Sequence, residues 1–180
     1  MEINKTAAIH YGRAYTVEEV EVTLPNGRHK TYDRINHRDS VTILPLDEDG
    51  YIWFVRQFRL GSETELIELP AGVIEKGEEP LDCARREIRE EIGMAAKQWQ
   101  KLGSFYLAPG YATENNHVFL AKGLFPSPLT MDEDEFLKVE QFHIRKVLQM
   151  IQEDTIHDGK SLAALAIFIQ LYPVETGAKL

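Results

Sequence analysis

The chain has 180 residues, 43% of them hydrophobic and 27% charged, which is the composition of an ordinary globular protein with one sizeable core. Its formal charge of −9 argues against broad, sequence-blind binding to nucleic acid or to an anionic membrane, because both need clustered Lys and Arg. A phosphate-bearing small molecule is not excluded, since a bound cation can invert the field of a site locally.

Cys83 is the only cysteine, so no disulfide can form within the chain. Met1 to Lys5 lacks the apolar character of a secretion signal. The longest apolar stretch, Leu162 to Leu171, is about half of the roughly 20 residues that a bilayer requires. The expectation is a protein of a reducing compartment, the cytoplasm, without membrane or nucleic-acid partners.

In chain order, Ala14 to Leu24 alternates through Tyr15, Val17, Val20, Val22 and Leu24, with one break, and predicts a strand. Pro25-Asn26-Gly27 is a strong turn signal, and Arg28 to Ile35 predicts the returning strand of a hairpin. This hairpin is more polar than the segment after it, so a small N-terminal antiparallel sheet over 1–38 is expected, with a main domain over 39–180. The runs Val41–Leu46 and Tyr51–Val55, joined by Asp47-Glu48-Asp49-Gly50, read as buried strands. Further strands are predicted at Gln98–Leu107, His117–Ala121 and Leu137–Ile144, and helices at Pro80–Ile92, Ile144–Gln152 and Ser161–Tyr172. Strands mixed with a few helices predict an α/β or α+β sandwich.

The chemistry concentrates between Gly72 and Met94. Gly72-Val73-Ile74-Glu75-Lys76-Gly77-Glu78 is followed, after seven residues, by Arg86-Glu87-Ile88-Arg89-Glu90-Glu91-Ile92-Gly93-Met94. Pro80 suits the first turn of a helix, where its missing amide costs nothing, and Gly93 suits the stop. Glu87, Glu90 and Glu91 stand at i, i+3 and i+4, so one helical edge carries three carboxylates. Such an edge is usually a solvated acidic face. Three crowded carboxylates nevertheless repel one another unless a cation or an Arg partner compensates them, and hard divalent cations take oxygen ligands of this kind. Glu78 and Arg86 can form an ion pair tying the loop to the helix. A separate stripe, Leu81, Ala84, Ile88 and Ile92, is apolar and can pack on a sheet.

At every defined position this segment resembles the Nudix box: Gly, five residues, Glu, seven residues, Arg-Glu-aliphatic-x-Glu-Glu-x-Gly-aliphatic. The resemblance implies an α/β/α sandwich with a mixed sheet. It also implies a loop-helix-loop holding two or three Mg²⁺, or Mn²⁺, and hydrolysis of a nucleoside diphosphate linked to another group. Carried over, the metal ligands are Glu87, Glu91, Glu90 and the carbonyl of Ala71, with Glu90 also a catalytic candidate. Gly72, Glu78, Arg86 and Gly93 are the structural positions of the motif.

The flanks resemble ADP-ribose pyrophosphatases. Pro109 lies fifteen residues after Met94, Ile67-Glu68-Leu69-Pro70-Ala71-Gly72 leads into the box, and Val55-Arg56-Gln57-Phe58-Arg59 matches a substrate-facing strand end. The resemblance gives Arg56, Arg59, Glu68, Pro109 and Glu114 a part in substrate binding, with Arg59 on the diphosphate, a role suited to a guanidinium fork. It offers Glu133 or Glu135, in Asp132-Glu133-Asp134-Glu135, as the loop carboxylate that accepts a proton from water. The implied reaction gives AMP and ribose 5-phosphate from ADP-ribose. GDP-mannose or another sugar nucleotide is the nearest alternative, and a non-catalytic nucleotide sensor a more distant one. Relatives of this subtype are commonly homodimers that exchange N-terminal strands, a use open to the hairpin at Ala14–Ile35.

One departure and two decoys stand beside the resemblance. His37-Arg38-Asp39-Ser40-Val41 replaces a His-Pro-Gly-Ala-Val-like stretch of many relatives. Gly159-Lys160-Ser161 resembles the end of a P-loop, but Asp154 occupies the required upstream glycine position, and a helix-capping role for Ser161 is expected instead. The six His residues show no metal-ligand spacing.

Overall fold

The turn at Pro25-Asn26-Gly27 closes as its residues dictate. Gly27 takes a φ of 79°, its amide donates to the Leu24 carbonyl at 2.8 Å, and Arg28 N donates to Asn26 Oδ1 at 3.2 Å. The turn joins β2 (Tyr15–Thr23) to β3 (His29–His37), and β1 (Glu2–Tyr11) pairs antiparallel with the other edge of β2. The structure, a computed structural model, describes residues 1–130 and 136–173.

β1 has no counterpart among the strands expected from sequence pattern. All ten of its residues are exposed, so no apolar alternation marks it; the ladder with β2 makes it a strand. Val20 and Val22 of β2 are buried. Beside them the nearly buried Glu18 accepts two bonds from Arg34 (2.9 and 2.7 Å) and one from Asn36 (2.8 Å). Asn36 and Arg34 hold the Glu18 carboxyl below its ordinary range. Contacts group Met1–Asp39 with Phe105–Asn116 into one compact unit. Within it Ile35 bonds to the later segment, donating to the Tyr111 carbonyl at 2.7 Å and accepting from Thr113 N at 3.0 Å.

The second unit comprises Ser40–Ser104 and the described residues from His117 onward. Seven strands form the main sheet: β4 (Ser40–Leu46), β5 (Tyr51–Arg59), β6 (Thr64–Glu68), β7 (Ala71–Val73), β8 (Met94–Tyr106), β9 (Asn115–Pro126) and β10 (Leu137–His143). The order is β10-β5-β4-β9-β8, with β6 pairing to β5 and β7 to β4. β6 and β7, too short to show a period, are separated by Leu69-Pro70, where the Pro70 carbonyl accepts from Ile43 N at 2.8 Å.

Helix α1 (Pro80–Glu91) packs on β4 and β7, α2 (Ile144–Gln152) on β10 and β5, and α3 (Gly159–Leu171) on β4. Ser40 through Pro45 of β4 are buried, as a strand covered on both faces must be. Val41, Ile43 and Val55 meet Cys83, Ala84, Ile88 and Ile92 of the helical segment, together with Phe119 and Ala121 of β9. Each such large side chain contributes about 1.5–3 kcal/mol by leaving water. Alternation turns Leu44 to the opposite face, where it is also fully buried. The result is a mixed sheet between helical layers, the α/β/α architecture expected. One expectation is corrected: Asp158 is the N-cap of α3, accepting from Ser161 N at 2.9 Å, and Ser161 is already helical. Among the described residues, no helix is long and apolar enough to cross a membrane.

Candidate active site

Helix α1 begins at Pro80 without a side-chain cap, and Gly93, in the left-handed region at φ 68°, follows its C-cap Ile92. The loop before it is stapled by Glu78, whose Oε2 accepts from Glu75 N at 2.9 Å. Arg86 then binds loop and helix together. Its Nε and Nη2 donate to the two oxygens of Glu78 at 3.0 and 3.1 Å, and its Nη1 donates to Glu87 Oε1 at 2.7 Å and Glu90 Oε2 at 2.8 Å. The bonds from Arg86 hold the Glu78 carboxyl below its ordinary range, and Glu78 in turn raises the proton affinity of Arg86. The compensation that the crowded carboxylates require is therefore supplied, for two of the three, by the arginine at the head of their edge.

Glu87 and Glu91 are buried. Glu91 Oε2 accepts from the amide of Ala71 at 2.9 Å, joining the helix to the start of β7. Gly72 lies directly under Glu87, and a Cβ built there would overlap the Glu87 carboxylate. Only glycine lets that carboxylate lie across the strand.

A second charged group stands on β5, β6 and α3. Arg59 donates bidentately to the fully buried Glu68, at 2.6 Å from both Nε and Nη2. Lys160 also donates to Glu68, and to Asp158 at 2.9 Å. Asp158 caps α3, and Ser161 Oγ accepts from Leu69 N at 2.7 Å, so the network returns to the segment that leads into β7. Burial pushes the Glu68 carboxyl up, but Arg59 and Lys160 outweigh it and hold it below its ordinary value. Burial likewise works against the Arg59 charge, which Glu68 restores, with Glu91 adding to the effect. Glu68 and Ala71, which hold Arg59 and Glu91, lie three residues apart, so the two networks meet on one segment.

Arg56 forms a bidentate pair with Glu140 of β10, at 2.7 and 3.1 Å. Pro109 and Glu114 belong to the first unit. There the Tyr111 and Ala112 amides close the turn around Pro109 onto the Ala108 carbonyl (3.0 and 2.8 Å), and Glu114 Oε2 lies 3.5 Å from His37 Nδ1. Glu133 and Glu135 lie outside the described residues. The structure thus brings Ala71, Gly72, Glu78, Arg86, Glu87, Glu90 and Glu91 together, with Arg59 and Glu68 alongside. Sequence reasoning does not reach Lys160, Asp158 or Glu140. Glu140 stands diagonally across from Arg56, beyond the pair Lys138↔Arg56, a relation visible only once the β5–β10 register is known.

Among the described residues, no three His, Cys, Asp or Glu side chains converge as a metal-holding group. The donor set nevertheless fits a hard divalent cation. Carboxylate oxygens of Glu87 and Glu90 meet at one guanidinium nitrogen, and the cradle over Gly72 holds Glu87 against the strand.

The sequence pattern of the NUDIX domain matches residues 36–165. The chain belongs to the NUDIX family, whose hydrolases generally use a divalent metal. An ADP-ribose pyrophosphatase of Bacillus subtilis (strain 168) is 39% identical over 157 residues, covering 86% of this chain and 83% of that protein. A methanol dehydrogenase activator of Bacillus methanolicus is 36% identical over 169 residues, covering 93% of this chain and 91% of its own. Among solved structures, the crystal structure of an ADP compounds hydrolase superposes with a TM-score of 0.84 at 25% identity, over 94% of this chain and 92% of that one.

Proposed function

We propose that this protein hydrolyses the diphosphate of ADP-ribose or a related nucleoside diphosphate sugar, giving from ADP-ribose AMP and ribose 5-phosphate. The observation that carries the reading is the meeting of the two charged groups on one short segment: Glu68, which holds Arg59, lies three residues before Ala71, whose amide holds Glu91. The resemblance to an ADP-ribose pyrophosphatase over most of the chain supports the same substrate class.

Glu87, Glu90 and Glu91 would hold the metal, for which magnesium is our choice, together with the carbonyl of Ala71. When bound, such a cation neutralises the diphosphate and lowers the pKa of water. The remaining work falls to the chain. Arg59 uses Nε and Nη2 on Glu68, which fixes the plane of its fork and leaves Nη1 for a phosphoryl oxygen of the substrate. Gly72 and Ala71 N fix Glu87 and Glu91 in place before substrate arrives. Water adds to one phosphorus, the bridging P–O bond breaks, and the proton passes to a carboxylate, a role assigned by resemblance to Glu133 or Glu135. For Arg56, Pro109 and Glu114 the substrate role likewise rests on resemblance.

We further propose a homodimer formed through the N-terminal sheet, which exposes Ile3, Ile9, Tyr11 and Tyr15, and a cytoplasmic location, in keeping with one buried, reduced Cys83. The test of substrate class is a hydrolysis screen with Mg²⁺ against ADP-ribose, GDP-mannose, dinucleoside polyphosphates and nucleoside triphosphates, with products resolved by ion exchange. ADP-ribose is expected to give the highest kcat/KM. A preference for triphosphates would overturn the sugar-nucleotide reading, and a preference for GDP-mannose would move it to the neighbouring substrate.

A further inference from the structure

Helix α1 has a third face that neither the core nor the carboxylates use. At 100° per residue, Asp82, Arg85, Arg86 and Arg89 share one stripe (i, i+3, i+4, i+7). Glu87, Glu90 and Glu91 centre about a third of a turn from it on one side, and Ala84, Ile88 and Ile92 on the other. Arg85 and Arg89 fall at positions that the Gly72–Met94 motif leaves open, so the motif's chemistry does not account for them.

This stripe borders an open cavity of about 460 Å³ within the second unit, lined also by Trp99 of β8, Phe125 of β9 and Leu129. Its arginines are not equivalent. Arg86 is spent on Glu78, Glu87 and Glu90, and Arg85 makes one exposed pair with Asp82 at 3.1 Å. Arg89 makes no ion pair among the described residues. Its Nε donates to the Ser127 carbonyl at 2.9 Å, which fixes the guanidinium plane and leaves both terminal nitrogens for another acceptor. Trp99 is held as well, its Nε1 donating to Ala96 O at 3.2 Å and its ring edge-on to Phe119.

We propose that this cavity is a second, non-catalytic binding site for a nucleoside monophosphate. An oriented guanidinium with a second one a turn away suits a phosphate, which takes planar, bidentate donors. Trp99 and Phe125 supply an aromatic wall on which a base can stack. The volume lies in the range of small-molecule sites, roughly 300–1,000 Å³, and the combination of apolar wall and few convergent polar groups is typical of them. Among the described residues lining the cavity the one carboxylate, Asp82, is paired with Arg85, so a ligand anion would complete the charge of Arg89. The inference does not depend on the hydrolytic reading.

The test uses the full chain with two background changes. Trp53→Phe leaves Trp99 as the sole tryptophan, and Arg59→Gln removes the diphosphate contact at the proposed active site. Trp99 emission is followed during titration with AMP in EDTA, beside a titration with inorganic phosphate. The expected result is saturable quenching by AMP with one site per chain. Phosphate should bind more weakly, and affinity for AMP should fall at least about tenfold on adding Arg89→Gln. Arg85→Gln, at an exposed position, should weaken it by a smaller factor with the fold unaltered, as read by circular dichroism. Absence of quenching by AMP, or quenching unchanged by both substitutions, would overturn the proposal. Equal affinity for AMP and inorganic phosphate would overturn its nucleotide part.

Discussion

Gly72 and Lys160 show how single positions set the site. Glycine at 72 is required by the carboxylate lying over it, so Gly72→Ala must displace Glu87. A displacement on the ångström scale costs a catalytic constellation roughly a hundredfold. Gly72→Ala is therefore expected to lower kcat/KM on ADP-ribose by about two orders of magnitude, while its melting temperature falls by only a few degrees; steady-state kinetics and calorimetry read the two effects. Lys160 acts on the buried Glu68. Because folding depresses the Glu68 pKa, its contribution to stability is present above the ordinary carboxylate value of 4.5 and is lost as pH falls below it toward the folded value. Lys160→Met removes one of the two cations responsible, so the folded value rises. Urea midpoints measured from pH 7 to pH 3 should show Lys160→Met less stable than wild type at pH 7 and losing less stability on acidification, with the loss ending at a higher pH. Coincident profiles would mean that Arg59 alone sustains Glu68.

Among the elements, α1 and α3 reach the site by different routes, and only one is legible in the sequence. For α1, Pro80, Gly93 and the spacing of Glu87, Glu90 and Glu91 are local signals within one helix, so its bounds, its apolar stripe and its charged edge can all be read directly. α3 contributes through Asp158 and Lys160, whose partner Glu68 lies 92 residues away from Lys160. Nothing local marks such a pair, and Gly159-Lys160-Ser161 stands out only as an incomplete P-loop. β1 escapes pattern for a related reason: a fully exposed strand has no apolar period, and only its ladder with β2 defines it. For α3 the expected outcome of Asp158→Ala is a loss of roughly 0.5–2 kcal/mol from the lost cap, with a further loss from the Lys160 contact. Chemical denaturation at pH 7 measures it. A change within error would show that Ser161 and Lys160 find other partners.

At the scale of the whole molecule, an acidic chain and an anionic substrate are reconciled by local charge: Arg86 and Arg59 set cations among the carboxylates of the second unit, and a divalent ion would add more. The resemblance of Gly72–Met94 carries the fold class and the family, because a motif dense in Gly and Glu constrains backbone and chemistry together. It carries the substrate less far, since base and sugar are read by residues outside it. The exposed apolar residues of β1 and β2 lead to a prediction about assembly. Sedimentation velocity should give the mass of two chains, and a variant lacking residues 1–11 should sediment as one. A full-length monomer at micromolar concentration would remove the proposed dimer without touching the chemistry.

A diphosphate-hydrolysing site built from the carboxylates of α1 and Arg59 makes a simple demand: removing the charge of one carboxylate must slow hydrolysis. The most direct measurement compares wild type with Glu91→Gln on ADP-ribose and Mg²⁺, with AMP and ribose 5-phosphate quantified against time. Wild type is expected to form both products in equal amounts, and Glu91→Gln to do so at least about a hundredfold more slowly with its fold retained. Equal rates in the two proteins, or no product from either, would contradict the account.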